Sequence, residues 1–253
     1  MQKKMGEEKN IKYTEKQYFT RERIPKKLGT CHILNSYITI GFSSPFDCQY
    51  WFNQLIEKTK DQYHLNIIEH PFLPNNINEE QYLCVSDKCK IKAKKGEISF
   101  NCNNSYPGWG ELLNFIIDIL GNLHNICESK NIYHYITLNY ISTFPKIDIF
   151  DKLDGKVELF RIPPFADTIL DFKCAIQYGD QKADSAKAQT KIRNNMLIDG
   201  KSMSAIDISI FKKITNNSIP HLIEMLNFLH ANEKLIFFNL ISQEFIDEQD
   251  PEY

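Results

Sequence analysis

The 253-residue chain is long enough to bury a substantial core in one large domain or two modest ones, and its 42% hydrophobic and 25% charged residues are ordinary for a globular protein. Its 30 Lys+Arg against 32 Asp+Glu supply no global electrostatic reason to bind nucleic acid, so such binding would need a local patch. There is no apolar run of membrane-spanning length, no apolar segment behind the basic start, and no C-x-x-C pair among the seven cysteines, which together predict a cytoplasmic chain with reduced thiols, no membrane contact and no cofactor.

Residues 1–28 are dense in Lys, Glu and Arg with few apolar anchors and predict a mobile charged arm. Residues 32–42 alternate as a strand, after which Ser44 is placed to cap a helix with Pro45 in its first position. That helix, about 45–61, puts Cys48, Trp51, Phe52, Leu55, Ile56 and Thr59 on one face. After a Pro- and Asn-rich loop at 69–80, residues 82–102 read as a hairpin turning at Lys95-Gly96. Lys90, Lys92 and Lys94 recur every second residue there. They predict a solvated outer face or protected edge, with a phosphate-binding strip as the sharper alternative.

A long helix within 105–128 follows, with an apolar arc of roughly 200° that predicts embedding between a sheet and a second layer. His124 falls inside that arc and is expected as a neutral core histidine. Residues 132–144, rich in aromatic and β-branched residues, predict a strand buried on both faces. The character changes at 145–156, so the chain divides into the arm, an N-terminal half at 29–147 and a C-terminal half at 148–253. In the second half, 169–179 alternates cleanly, with Leu170, Phe172 and Cys174 on one face and Asp171 and Lys173 on the other. A second hairpin, 188–211, turns at Asp199-Gly200. Ser218 and Pro220 open a helix buried through Leu222, Met225, Leu226 and Leu229, and Asn232 is placed to cap one more helix over 233–247. Both halves follow one plan of strand, hairpin and long amphipathic helix. The fold class predicted is α+β, built of two related halves, each an antiparallel sheet with a hairpin packed on a helix.

Chemistry-bearing motifs are sparse. With 10 glycines in the chain, neither G-x-G-x-x-G nor G-x-x-x-x-G-K-[ST] occurs, and G-x-S-x-G and H-E-x-x-H are absent. His221 and Glu224 are one helical turn apart, but His230 lies on the opposite side of the wheel, so the three do not converge on a metal. Glu158, Asp171 and Lys173 loosely echo the carboxylates and lysine of metal-dependent nucleases, in which carboxylates hold Mg²⁺ and the lysine activates water. A solvated strand face is the plainer account of Asp171 and Lys173. Tyr106, Trp109, Phe237 and Phe238 are the candidate anchors of a protein interface, as against plugs at the ends of a core.

The stretch Asn104–Leu123, the strand at 135–142, "SAIDISIF" at 204–211 and the closing segment at 226–245 resemble a sporadically distributed bacterial and archaeal family of unknown function. In that family a Tyr-Pro-x-Trp helix start precedes an Arg-Tyr-Ile-Asn strand, followed by an Asp-bearing strand and a Leu-His helix. Tyr106, Pro107, Trp109, Tyr140, Ile141, Asp207, Leu229 and His230 match, over a span of 23–247. Asn139 and Ser142 stand where the family has Arg and Asn, so a role for that arginine has no counterpart here. The resemblance implies a stand-alone soluble protein, and the patchy distribution associates it with phage-defence or toxin–antitoxin cassettes. The function expected from the sequence is therefore a non-catalytic protein-binding or accessory subunit, with a protein partner or a second copy of itself. A metal-dependent hydrolase or nuclease is the alternative, and RNA binding through the lysine strip and the N-terminal arm is a third reading.

Overall fold

The computed structural model describes residues 24–29, 32–43, 48–63, 66–69, 82–85, 89–94, 96–103, 106–126, 133–154, 169–176, 185–198, 200–215 and 218–253. In chain order the elements are β1 (Lys27–Leu28), β2 (Ile33–Phe42), α1 (Cys48–Thr59), β3 (Asn66–Glu69), β4 (Tyr82–Val85), β5 (Lys90–Lys94), β6 (Glu97–Asn103), α2 (Trp109–Ile126), β7 (Tyr133–Pro145), a 3-10 turn at Ile149–Lys152, β8 (Ile169–Ile176), β9 (Ala186–Ile198), β10 (Lys201–Lys213), α3 (Ile219–Leu240), α4 (Gln243–Asp247) and β11 (Pro251–Glu252). The protein is α+β.

Nine strands form one antiparallel sheet in the order β3-β4-β5-β6-β2-β7-β10-β9-β8. Its centre is the β2–β7 pair, in register at Ile38↔Leu138 and Ile40↔Ile136. Period-2 patterning supplies the core: Ile38, Ile40, Ile98, Phe100, Ile136, Leu138, Ile206, Ile208 and Ile210 point to one face and are buried. The helices pack on that face. Trp51 of α1 meets Phe42, Phe115 of α2 meets Phe100, Phe237 of α3 stacks on Phe144, and Phe245 of α4 meets Phe144 edge-on. Each of those strand residues belongs to the buried row of its strand, so the four helices form one layer.

Both predicted hairpin turns are present, β5 to β6 and β9 to β10, with Gly200 at φ 74 where an L side chain is disfavoured. Ser218 caps α3, accepting from the His221 backbone N–H, and Pro220 sits in the first turn. Trp51, Phe52, Leu55 and Thr59 form the buried face of α1.

Other expectations change. The halves do not carry separate sheets, because β2 and β7 pair and merge them. β7 is buried on one face only, since its alternate residues Thr137, Asn139 and Ile141 point away from the helices and are half-buried. α3 runs unbroken through Asn232, whose amide donates to the Phe228 carbonyl at 2.8 Å; Ser242 is the cap that starts α4. Of the expected arm, 24–28 is part of the fold: β1 pairs with β11, and Pro25 and Leu28 are buried. Residues 1–23 lie outside the described residues.

Candidate nucleic-acid interface

The sheet face opposite the helices carries no helix or strand among the described residues, and its side chains are almost all polar. Register aligns them in rows that cross the strands. One row runs from Lys90 through Asn101, Tyr37, Asn139, Ser209 and Gln189 to Lys173. The next runs from Lys92 through Ser99, Thr39, Thr137 and Phe211 to Lys187. Each row carries a lysine toward either end and no charged residue between; the sheet runs on past β5 to β4 and β3, and the second row continues past Lys187 to Ala175 of β8. Six strand steps separate Lys90 from Lys173, a span of roughly 29 Å at the spacing of neighbouring strands.

The margins gain further charge from Lys94 on one side, and from Lys191, Arg193 and Lys213 on the other. Three carboxylates share the face, and each is engaged. Lys94 binds Glu97 at 2.8 Å, Gln189 donates to both Asp171 oxygens at 2.9 Å, and Asn139 donates to Asp207 at 2.6 Å. Partial burial works to raise the Glu97 pKa, but the Lys94 ammonium and the Tyr135 hydroxyl outweigh it and hold the carboxyl below its ordinary range. Among the described residues, eight cationic side chains against three carboxylates leave this face basic in a chain whose formal charge is −2.

Polar side chains at the centre of the face pair with one another. Thr39 and Ser99 hydroxyls bond each other at 2.9 Å, and Asn35 donates to the Tyr37 hydroxyl. The side-chain oxygens of Asn35 and Asn101 and the Nε of Arg193 are shielded and have no hydrogen-bond partner.

The residues singled out from sequence lie elsewhere or apart. Tyr106 and Trp109 are packed at the helix layer. The Tyr106 and Tyr140 hydroxyls bond at 2.9 Å, the Trp109 ring stacks on His230 at 4.2 Å, and its indole N–H donates to Asn227 at 2.9 Å. Phe237 and Phe238 are buried, edge-on to each other at 5.2 Å. Phe237 and Phe238 are thus covered, while Tyr106 and Trp109 are half-buried and keep part of their surface exposed. Asp171 and Lys173 share a face of β8, on the margin just described; Glu158 lies outside the described residues. So does the His124 side chain. His221 pairs with Glu224 at 3.4 Å, away from His230. Among the described residues no three His, Cys, Asp or Glu side chains are arranged to hold a metal ion.

His230 and Glu233 form a buried pair that the sequence did not flag. Burial lowers the His230 pKa to about 3, helped by the Lys234 charge, and burial raises that of Glu233 to about 8 against the pull of Lys234. At neutral pH both are uncharged, so their 3.8 Å approach is not an ion pair.

Sequence reasoning took the β5 lysines as a solvated outer face. It also passed over the every-second-residue run Lys187, Gln189, Lys191, Arg193 in β9, which read only as one arm of a hairpin. The periodicity was visible; that both runs face the same way was not. No helix among the described residues is long and apolar enough to cross a membrane. No family model matches the chain, and no curated protein matches it.

Proposed function

We propose that the protein is a non-catalytic nucleic-acid-binding protein that uses the helix-free face of its sheet. One observation carries the reading: two cross-strand rows on one sheet face, each with lysines on β5 and on β8 or β9 and with mainly amides and hydroxyls between them. Lysine and arginine margins suit phosphates, which provide most of the affinity, while the Asn, Gln, Ser and Thr centre suits sugar and base edges. Antiparallel strands are an established means of presenting such groups to a groove. The face has few free rings, with Tyr135 tied to Glu97, so base stacking is a lesser contributor than hydrogen bonding.

The accessory, protein-binding role expected from the sequence rests on Tyr106, Trp109, Phe237 and Phe238, of which Phe237 and Phe238 are buried while Tyr106 and Trp109 are partly exposed. The nuclease alternative keeps Asp171 and Lys173 on one face of β8, and its second carboxylate, Glu158, lies outside the described residues.

Fluorescence anisotropy with a labelled duplex and a labelled single strand tests the proposal. Binding that weakens as salt rises is expected, and the double variant Lys92→Glu/Lys187→Glu, altered at both margins, should lose at least about tenfold in affinity. Absence of binding at low salt, or a double variant that binds as the wild type does, rejects it.

A further inference from the structure

The geometry points to a second copy of this chain as the partner of the β8 edge, joined to it by antiparallel pairing centred on Phe172. The inference does not depend on the nucleic-acid reading. β8 ends the nine-stranded sheet, and among the described residues no strand pairs with its outer side. At eight residues it is twice the length of β3, the strand at the opposite end. A sheet edge of that length presents unpaired backbone N–H and C=O groups, which template another strand.

The side chains of β8 say which strand. In an antiparallel pair centred on Phe172, Asp171 stands opposite the partner's Lys173, and symmetry repeats the pair. Phe172 meets the partner's Phe172, and Leu170 meets the partner's Cys174. Asp171 and Lys173 are exposed; Leu170 and Phe172 are half-exposed, and Cys174 is exposed. Pairing thus sets opposite charges across the joint on one face and covers apolar surface on the other.

The alternatives are disfavoured by the same residues. Moving the centre by one position along the strand, to Asp171 or to Lys173, sets like charges directly opposite each other at the two-fold axis. Centred on Leu170 or Cys174, the pair sets Asp171 or Lys173 opposite an apolar residue, so the Phe172 register alone sets opposite charges against each other. Residues directly opposite in an antiparallel pair share a face, so both helix layers lie on one side of the joined sheet. The two polar faces then run together on the other side.

Sedimentation equilibrium across a concentration series, without nucleic acid, tests this. The expected species has twice the 29.6 kDa chain mass. Asp171→Lys alone and Lys173→Asp alone should each raise the dimer dissociation constant at least about tenfold, because each sets like charges across the joint. The double variant Asp171→Lys/Lys173→Asp should recover the dimer, since the swapped pair is again complementary. Both sites are exposed, and circular dichroism of each variant establishes that the monomer still folds. Hydrogen exchange of the amides in 169–176 should slow as the dimer forms. A monomer at every concentration overturns the inference. So does a dimer that is indifferent to the single changes, one that the double variant does not rescue, or one in which 169–176 exchanges at the monomer rate.

Discussion

His230 and Glu233 lie one turn apart on α3, in a setting that keeps both neutral, and this makes stability respond to pH in two windows. Glu233 keeps its proton in the native state up to about 8 because it is buried, while the same group in the unfolded chain releases its proton near 4.5. Between those values the unfolded state is favoured increasingly, so stability falls as pH rises through the window. His230 works from the other side. Native His230 stays neutral down to about 3 and the unfolded ring takes up a proton near 6.5, so stability falls as pH drops between the two. Glu233→Gln removes the first dependence while keeping the shape of the side chain. Melting temperatures should show the variant exceeding the wild type by several degrees at pH 8, with a much smaller gap at pH 5. Equal gaps at the two pH values would mean that Glu233 ionises freely. The neighbouring indole is a packing group. Trp109→Ala loses the His230 stack and the Asn227 bond and should cost about 3 kcal/mol in urea unfolding. Nucleic-acid affinity per folded molecule should not change, and a selective loss of binding would return Trp109 to the interface.

At the scale of the element, strand pairing explains details that composition leaves open. Gly41 of β2 lies opposite Tyr135 of β7, and a Cβ there would fall inside the tyrosine ring. The ring lies over the glycine and reaches Glu97 through its hydroxyl, linking β7 to β6 across β2. Gly41→Ala should therefore displace Tyr135, break that bond and cost about 2 kcal/mol, measured by chemical denaturation. A neutral result would show that the strands separate to admit the methyl group. The elements themselves were largely readable. The Asp-Gly turn, the Ser218 cap and the alternation of β2, β5 and β10 are local signals, and local chemistry decides them. Where the reading failed, a tertiary contact had replaced a local one. Asn232 resembles a helix cap by residue type, but apolar residues on both sides of it, Leu229 and Phe237, are buried in the same layer and carry α3 through. β7 reads as doubly buried because its aromatic content hides a polar row, Thr137 and Asn139, that only the sheet orients.

For the whole molecule, charge distribution matters more than charge sum. The basic face predicts a salt dependence that can be counted: log K should fall linearly with log salt, with a slope of about −0.9 per phosphate neutralised on duplex DNA. Replacing Lys90 and Lys92 by Ala removes two cations from one side of the face, and replacing Lys173 and Lys187 by Ala removes two from the other. Each pair should make the slope less steep by about 2, and the two pairs together by about 4, if all four lysines meet phosphates. An unchanged slope after either replacement would show that the margin concerned does not touch the backbone.

The sequence by itself determined the α+β class, both hairpin turns, the buried faces of α1 and α3 and the alternation of β2, β5, β8 and β10, because period and turn chemistry act over a few residues. Only the tertiary structure decided that β2 and β7 pair and fuse two half-sheets into one. That pairing turns alternate residues of β5 and of β9, about a hundred positions apart in the chain, toward the same side. A lysine every second residue is a solvated strand wherever it occurs. It becomes the margin of a binding face when long-range register places a matching run across the sheet from it, and register between distant strands is set by the shared core beneath them, which no local pattern encodes.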